Sequence, residues 1–278
     1  MARGSRIYGL VDFEWSYLPR IDRFARSTRM AYPVRMRARG ELRDAIQGQA
    51  LAATTPIDLL NQPMQNESIS RVECCAATRP QQGRSQNEDA FLIGRGDRPF
   101  AALCDGAGNA ERAAKRVLAL FEKLLNEATP DQVTAAETWT KWIKLLDSSL
   151  LGAPQSTFLV VAFAANEAVG VCVGDSRLYQ LNREGQCRIV TEGASKQRLG
   201  SGAARPFIIR LTLVAGDILL LLSDGAWTPL NPYLLQKAVV HASVRHFTEV
   251  PVAILDAAGK AGRADDMTAL ALRLARTL

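Results

Sequence analysis

Gly216-Asp-Ile-Leu-Leu-Leu-Leu-Ser-Asp-Gly225 is the stretch from which the fold can be read. The apolar run 218–222 lies between Ala215-Gly216-Asp217 and Ser223-Asp224-Gly225. Its length and the turn residues at both ends predict a strand, with Asp224 left at its tip. The same arrangement recurs elsewhere. Asp105 follows the apolar run 100–104 and opens Asp-Gly-Ala-Gly108. Asp175 follows 168–173 within Gly174-Asp-Ser-Arg177. Glu88 and Asp89 precede the run 90–94, and Asp265 and Asp266 precede 267–274. Acids at the tips of apolar strands converge when the strands share a sheet. Such a cluster cannot be buried as bare anions, because desolvation and mutual repulsion cost too much. Oxygen-only donors suit hard divalent cations such as Mg²⁺ or Mn²⁺. Glycine after Asp105 and after Asp224 lets the backbone turn sharply and approach a ligand. Any one Asp-Gly is an ordinary turn, and Asp217 is read as no more than that. Five such sites together point to a metal centre.

Outward from this stretch, strands are predicted over 70–77, 90–94, 100–104, 157–165, 168–173, 177–181, 186–191, 208–213, 218–222 and 267–274. Helical periodicity marks 110–127, with Val117, Leu118, Phe121, Leu124 and Leu125 on one face. It marks 131–151 as well, with Trp139, Trp142, Ile143, Leu145 and Leu146 read as core, and Pro130 placed where a helix starts. Two further helices are predicted near 231–241 and 250–258, and residues 192–206 read as a small, polar loop. Hairpin-type links dominate. The expected class is therefore α+β, with antiparallel sheets packed on helices rather than a parallel βαβ fold.

The chain has 278 residues, 47% of them hydrophobic and 22% charged, which is an ordinary globular composition. A chain of this size buries roughly 70–75% of its unfolded surface. Apolar runs are far shorter than the roughly 20 residues of a membrane span, and no secretory pattern is visible. Five cysteines without a CxxC pair argue against a disulfide scaffold or a structural zinc site and favour a reducing cytoplasm. The net charge of +6 is uneven. Residues 1–50 hold ten Arg, no Lys and five acids, while the remainder is nearly neutral. Residues 1–66 show no sustained helical or strand period. They are expected to be a basic, poorly ordered extension to a domain spanning 67–278. Without interleaved aromatics they make no case for specific nucleic-acid binding. Translation from Met64 is the other reading of this segment.

The set Arg84-Ser-Gln-Asn-Glu-Asp89, Asp105-Gly-Ala-Gly108, Gly174-Asp-Ser-Arg177, Gly216–Gly225 and Asp265-Asp-Met-Thr268 resembles, in order and spacing, the metal-dependent protein phosphatase 2C (PPM) family in its bacterial form. The resemblance spans roughly residues 69–278. It implies two antiparallel sheets forming a central sandwich flanked by pairs of helices. It also implies hydrolysis of phosphoserine and phosphothreonine in proteins by a metal-activated water. By the same resemblance Asp105 bridges two Mn²⁺ or Mg²⁺ ions. Glu88 and the Gly106 carbonyl complete one ion, and Asp224 and Asp265 hold the other. Arg84 grips the phosphate, Asp175 binds a third and weaker ion, and Asp89 and Asp266 stand behind these ligands. The implied partners are a phosphoprotein substrate and a Ser/Thr kinase or its targets, met by a monomer.

The sequence also departs from the family pattern. Asn109 replaces a glycine, Asp266 an asparagine, Thr228 an acid of the third-ion site, and Ala107 a histidine that some members carry. The loop 192–206 is short and lacks an Asp-His pair. These departures keep open a phosphatase-like binding module, and the loops alone would distinguish a hydrolase of small phosphoesters. A Ser/His/Asp hydrolase has little support, since only His241 and His246 exist. No Cys is followed six positions later by Arg, which excludes the cysteine-phosphatase pattern.

Overall fold

The computed structural model describes residues 6–14, 71–94, 99–107, 111–164, 167–262 and 265–275. The elements in chain order are β1 (Arg6–Glu14), β2 (Arg71–Arg79), β3 (Ala90–Gly94), β4 (Phe100–Cys104), α1 (Glu111–Glu127), α2 (Pro130–Thr134), α3 (Ala136–Ser149), β5 (Phe158–Ala164), β6 (Glu167–Val173), β7 (Arg177–Leu181), β8 (Cys187–Ile189), β9 (Phe207–Thr212), β10 (Ile218–Leu222), α4 (Asp224–Trp227), α5 (Pro232–Arg245), α6 (Val250–Gly262) and β11 (Met267–Ala275). One sheet has the order β1-β2-β11-β10-β7-β8 and the other β3-β4-β5-β6-β9. Every pairing is antiparallel.

Side-chain alternation explains the layering. In β10, Leu219 and Leu221 face the other sheet and pack with Leu103, Leu159 and Val161. Leu220 and Leu222 face the opposite way, toward Leu235 and Val239 of α5 and Ile254 and Leu255 of α6. The apolar run of β10 is thus buried on both faces. The five-stranded sheet turns Phe158, Val160 and Val171 outward against Phe121 of α1 and Trp139, Ile143 and Leu146 of α3. The result is the expected sandwich of two sheets between helices.

Three features differ from the sequence reading. β1 is a strand within residues read as lacking one, paired antiparallel with β2 at the sheet edge. Its register shifts between Tyr8 and Val11, which breaks the alternation by which a strand is recognised. The helix expected over 131–151 is two helices, interrupted at Ala135, whose backbone is extended. Thr129 and Gln132 close a capping box on α2. The Trp139 indole then donates to the Val133 carbonyl at 2.9 Å, satisfying an acceptor that the break leaves over. Leu145 is exposed rather than part of the core. The readings of 15–66, including a start at Met64, and of Gly108 and Asn109 lie outside the described residues. Among the described residues no helix is long and apolar enough to cross a membrane. All five cysteines are free thiols, and four are buried.

Candidate metal centre

Asp105 is carried by β4, whose five residues are all buried. Its amide donates to Thr157 Oγ1 at 2.9 Å, and the Thr157 amide returns a 2.8 Å bond to the Asp105 carbonyl. Thr157 Oγ1 also shares a 2.9 Å hydrogen bond with Ser176 Oγ, tying the tip of β4 to the turn after β6. That turn contains Gly174 at φ +96°, where a Cβ would stand 2.7 Å from Thr157 Cγ2. Only glycine fits there. Asp175 follows it, half-buried, with its carbonyl accepting from the Trp227 indole at 3.0 Å. The Arg177 guanidinium stacks 3.4 Å from the centre of the Trp227 ring.

Asp224 opens α4. Gly225, next to it, does not take a left-handed turn. A Cβ on it would collide with the carbonyl oxygen of Asp266. Its role is therefore close approach of two backbones, which brings the segment of Asp224 against that of Asp265. Ser223 cements the same junction. Its amide donates to the Thr268 carbonyl at 3.0 Å and its Oγ accepts from the Thr268 amide at 2.8 Å. The Ser223 hydroxyl donates to Asp89 Oδ2 at 2.8 Å.

These junctions gather the acids. Carboxylate oxygens of Asp105, Asp175 and Asp224 lie within 4.8 Å of one another. Asp105 is 7% exposed, and its Oδ2 is buried without a hydrogen-bond partner. Burial, then the Asp89 and Asp224 charges, push its carboxyl up to about 9, against a smaller downward pull from Arg198. Burial likewise pushes Asp89 to about 7, opposed by hydrogen bonds from Thr268 and Ser223. Asp224 is raised by burial and by the charges of Asp175 and Asp265. An all-oxygen set this close, with a buried carboxylate oxygen left unpartnered, fits a divalent cation.

The other predicted residues divide. Asp265 is exposed and close enough to Asp224 to act on its charge. Glu88 is half-buried and meets Arg84, itself exposed, at 3.3 Å. Neither belongs to the three-carboxylate group. Asp89 and Asp266 are buried. Asp266 Oδ1 accepts from the Gln81 amide at 2.5 Å and Oδ2 from the Glu88 amide at 2.7 Å. Its charge is satisfied by the loop that carries Arg84 and Glu88. Gly106 is bridged to Ser156, which is bridged in turn to Leu199.

No protein-family model and no curated protein matches the sequence. Solved structures do. The serine/threonine phosphatase PstP/Ppp of Mycobacterium tuberculosis matches with a TM-score of 0.63 at 22% identity, over 74% of this chain and 99% of that one. The PstP catalytic domain in complex with two manganese ions matches with a TM-score of 0.60 at 21% identity, over 73% of this chain and 98% of that one. RsbX in complex with magnesium matches at 0.56 and 16% identity, over 77% of this chain and 99% of that one. The chain has the fold of the bacterial PPM phosphatases.

Two residues of this PPM fold were not found from sequence. Arg198 reaches into the acid cluster, with Nη2 3.5 Å from Asp175 Oδ1 and Nη1 3.9 Å from Asp105 Oδ1. Asp147, buried at the end of α3, accepts from the amides of Gly200, Gly202 and Ala204 at 2.7, 3.2 and 3.3 Å. The available signal was Leu199, the one large apolar residue of 192–206. A loop that buries such a side chain has a fixed path. A cleft of about 440 Å³ opens beside the cluster, lined among others by Asp175, Asp224, Arg177, Lys196, Trp227 and Thr228.

Proposed function

We propose that this chain is a Mn²⁺- or Mg²⁺-dependent phosphatase that removes phosphate from serine and threonine side chains of proteins. The observation that carries this reading is the Asp105–Asp175–Asp224 cluster with its unpartnered buried oxygen, set on the PPM phosphatase fold. Asp105, Asp224, Asp265, Glu88 and the Gly106 carbonyl would hold two ions. When bound, the ions supply positive charge for phosphoryl oxygens and lower the pKa of a water. Asp89 holds Ser223 and so fixes the start of the helix that carries Asp224. Asp266 fixes the amide of Glu88, and with it the loop that presents Arg84. The exposed guanidinium of Arg84 suits bidentate capture of a phosphate. Ala107 offers no acid, so the leaving oxygen takes its proton from solvent. The open cleft beside Asp175 has room for the peptide around a phosphoresidue. Removing such phosphates reverses a Ser/Thr kinase, so a kinase or its targets are the expected partners.

Hydrolysis of p-nitrophenyl phosphate and of a phosphothreonine peptide tests this reading. Activity should require Mn²⁺ or Mg²⁺, disappear in EDTA, and fall to background in Asp224→Ala. Folded wild type that is inactive on both substrates with either ion defeats the proposal. Activity on the small ester alone would restrict it to small phosphoesters.

A further inference from the structure

Among the described residues, Arg198 is the basic side chain whose ion pairs reach two acids of the cluster. Its side chain is 19% exposed. The two oxygens of Asp105 are committed differently. Oδ1 faces Arg198, while Oδ2 is the buried atom without a partner. Asp175 likewise turns its Oδ1 to Arg198. We infer that Arg198 is a built-in cation of the centre, standing beside Asp175 where a third metal ion would otherwise bind. This rests on the reading of the cluster as a metal centre.

The backbone around Arg198 is fastened on both sides. Upstream, the Gly174 amide donates to the Ser195 carbonyl at 3.2 Å. Downstream, Leu199 is fully buried and exchanges two backbone hydrogen bonds with Ser156, at 2.9 and 3.2 Å. Asp147 then holds Gly200, Gly202 and Ala204. These anchors are adjacent to the acids themselves. Gly174 precedes Asp175, and Ser156 precedes the Thr157 that binds the Asp105 amide. The guanidinium therefore hangs from a short, fixed length of chain, unlike a solvated surface arginine. A divalent ion at Asp175 would have to sit against this fixed positive charge, and the carboxylate would have to exchange one cation for the other. Thr228 in the same cleft is neutral and adds no anion to favour the metal.

The test is Mn²⁺ stoichiometry, read from the electron paramagnetic resonance signal of free Mn²⁺ at pH 7.5. Wild type should bind two ions and Arg198→Ala three. The added ion should be lost again in Arg198→Ala/Asp175→Asn. Arg198→Lys, which retains the charge, should bind the wild-type number. Arg198→Gln serves if the alanine variant does not fold. Equal, non-zero numbers in wild type and the uncharged variants overturn the inference and leave the metal-centre reading standing. Wild type that binds no Mn²⁺ defeats that reading instead. The role of Arg198 is then upheld if the uncharged variants gain an ion that Asp175→Asn removes, and overturned if they gain none.

Discussion

Glu88–Asp89 and Asp265–Asp266 on one side of the centre, and residues 192–206 on the other, deliver charge to the same place by different means. On the first side the acids come as neighbours, and one of each pair is spent on scaffolding. Asp89 receives the Ser223 hydroxyl, and Asp266 receives the amides of Gln81 and Glu88. Negative charge is thus held by polar bonds between segments far apart in sequence. On the second side the positive charge of Arg198 is placed by a buried leucine and by a buried carboxylate that gathers three amides. The acid side carries unresolved repulsion, and the loop side carries ordinary packing. The two should respond to different perturbations.

The largest expected effect is on the acid side. Asp105, Asp89 and Asp224 all sit above the ordinary Asp value near 3.9 in the metal-free fold, at about 9, at about 7 and raised. The folded state then holds protons that the unfolded chain has released. Their stabilising contribution is full below about pH 4 and is lost as the pH rises toward about 9. In EDTA the Tm should therefore fall steadily from pH 5 to 9. Mn²⁺, which favours the deprotonated acids, should flatten or reverse that slope. A metal-free Tm that rises across this window would mean that the acids do not repel one another as described.

Next in size is Leu199→Ala. Truncating a fully buried leucine costs about 2–5 kcal/mol. Chemical denaturation should show that loss, because residues 192–206 are part of the packed body. A change near zero would make the segment a loose flap and remove the contrast between the two sides. The smallest is Asp266→Ala. Two amides lose their acceptor, a cost of about 1–3 kcal/mol in stability. Since the same loop presents Arg84 and Glu88, a drop in phosphatase activity of roughly 10–100-fold should accompany it. Asp266→Asn, which retains one acceptor oxygen, should recover part of both. Loss of stability without loss of activity would show that this loop needs no precise placement.

The sequence reveals the acid side far better than the loop side, for a physical reason. A strand tip is announced by a short apolar run ending in turn residues, so the sequence alone places Asp105, Asp175 and Asp224 together. Arg198 and Asp147 carry no such signal. Their positions depend on contacts between segments distant in sequence, such as Leu199 with Ser156 and Asp147 with Gly200. β1 was missed because its register irregularity hides its alternation. The division of α2 from α3 was missed because the indole of Trp139 satisfies the break from within the core. Gly225 was found but misjudged. A turn is the common use of Asp-Gly, and only the position of the Asp266 carbonyl shows that it is a contact point instead.

The strand order also sets a schedule for synthesis. β11 lies between β2 and β10 in the six-stranded sheet, pairing residues 71–79 with 267–275. Until residues 267–275 have left the ribosome, β2 and β10 have no common neighbour, and Asp265 and Asp266 are not in place. A nascent chain can build the helix-backed five-stranded sheet early, since β3 to β9 precede this point. The centre cannot assemble until the last strand slides into the middle. Closing so long a loop is slow, so the acid cluster is complete only once the last strand has docked.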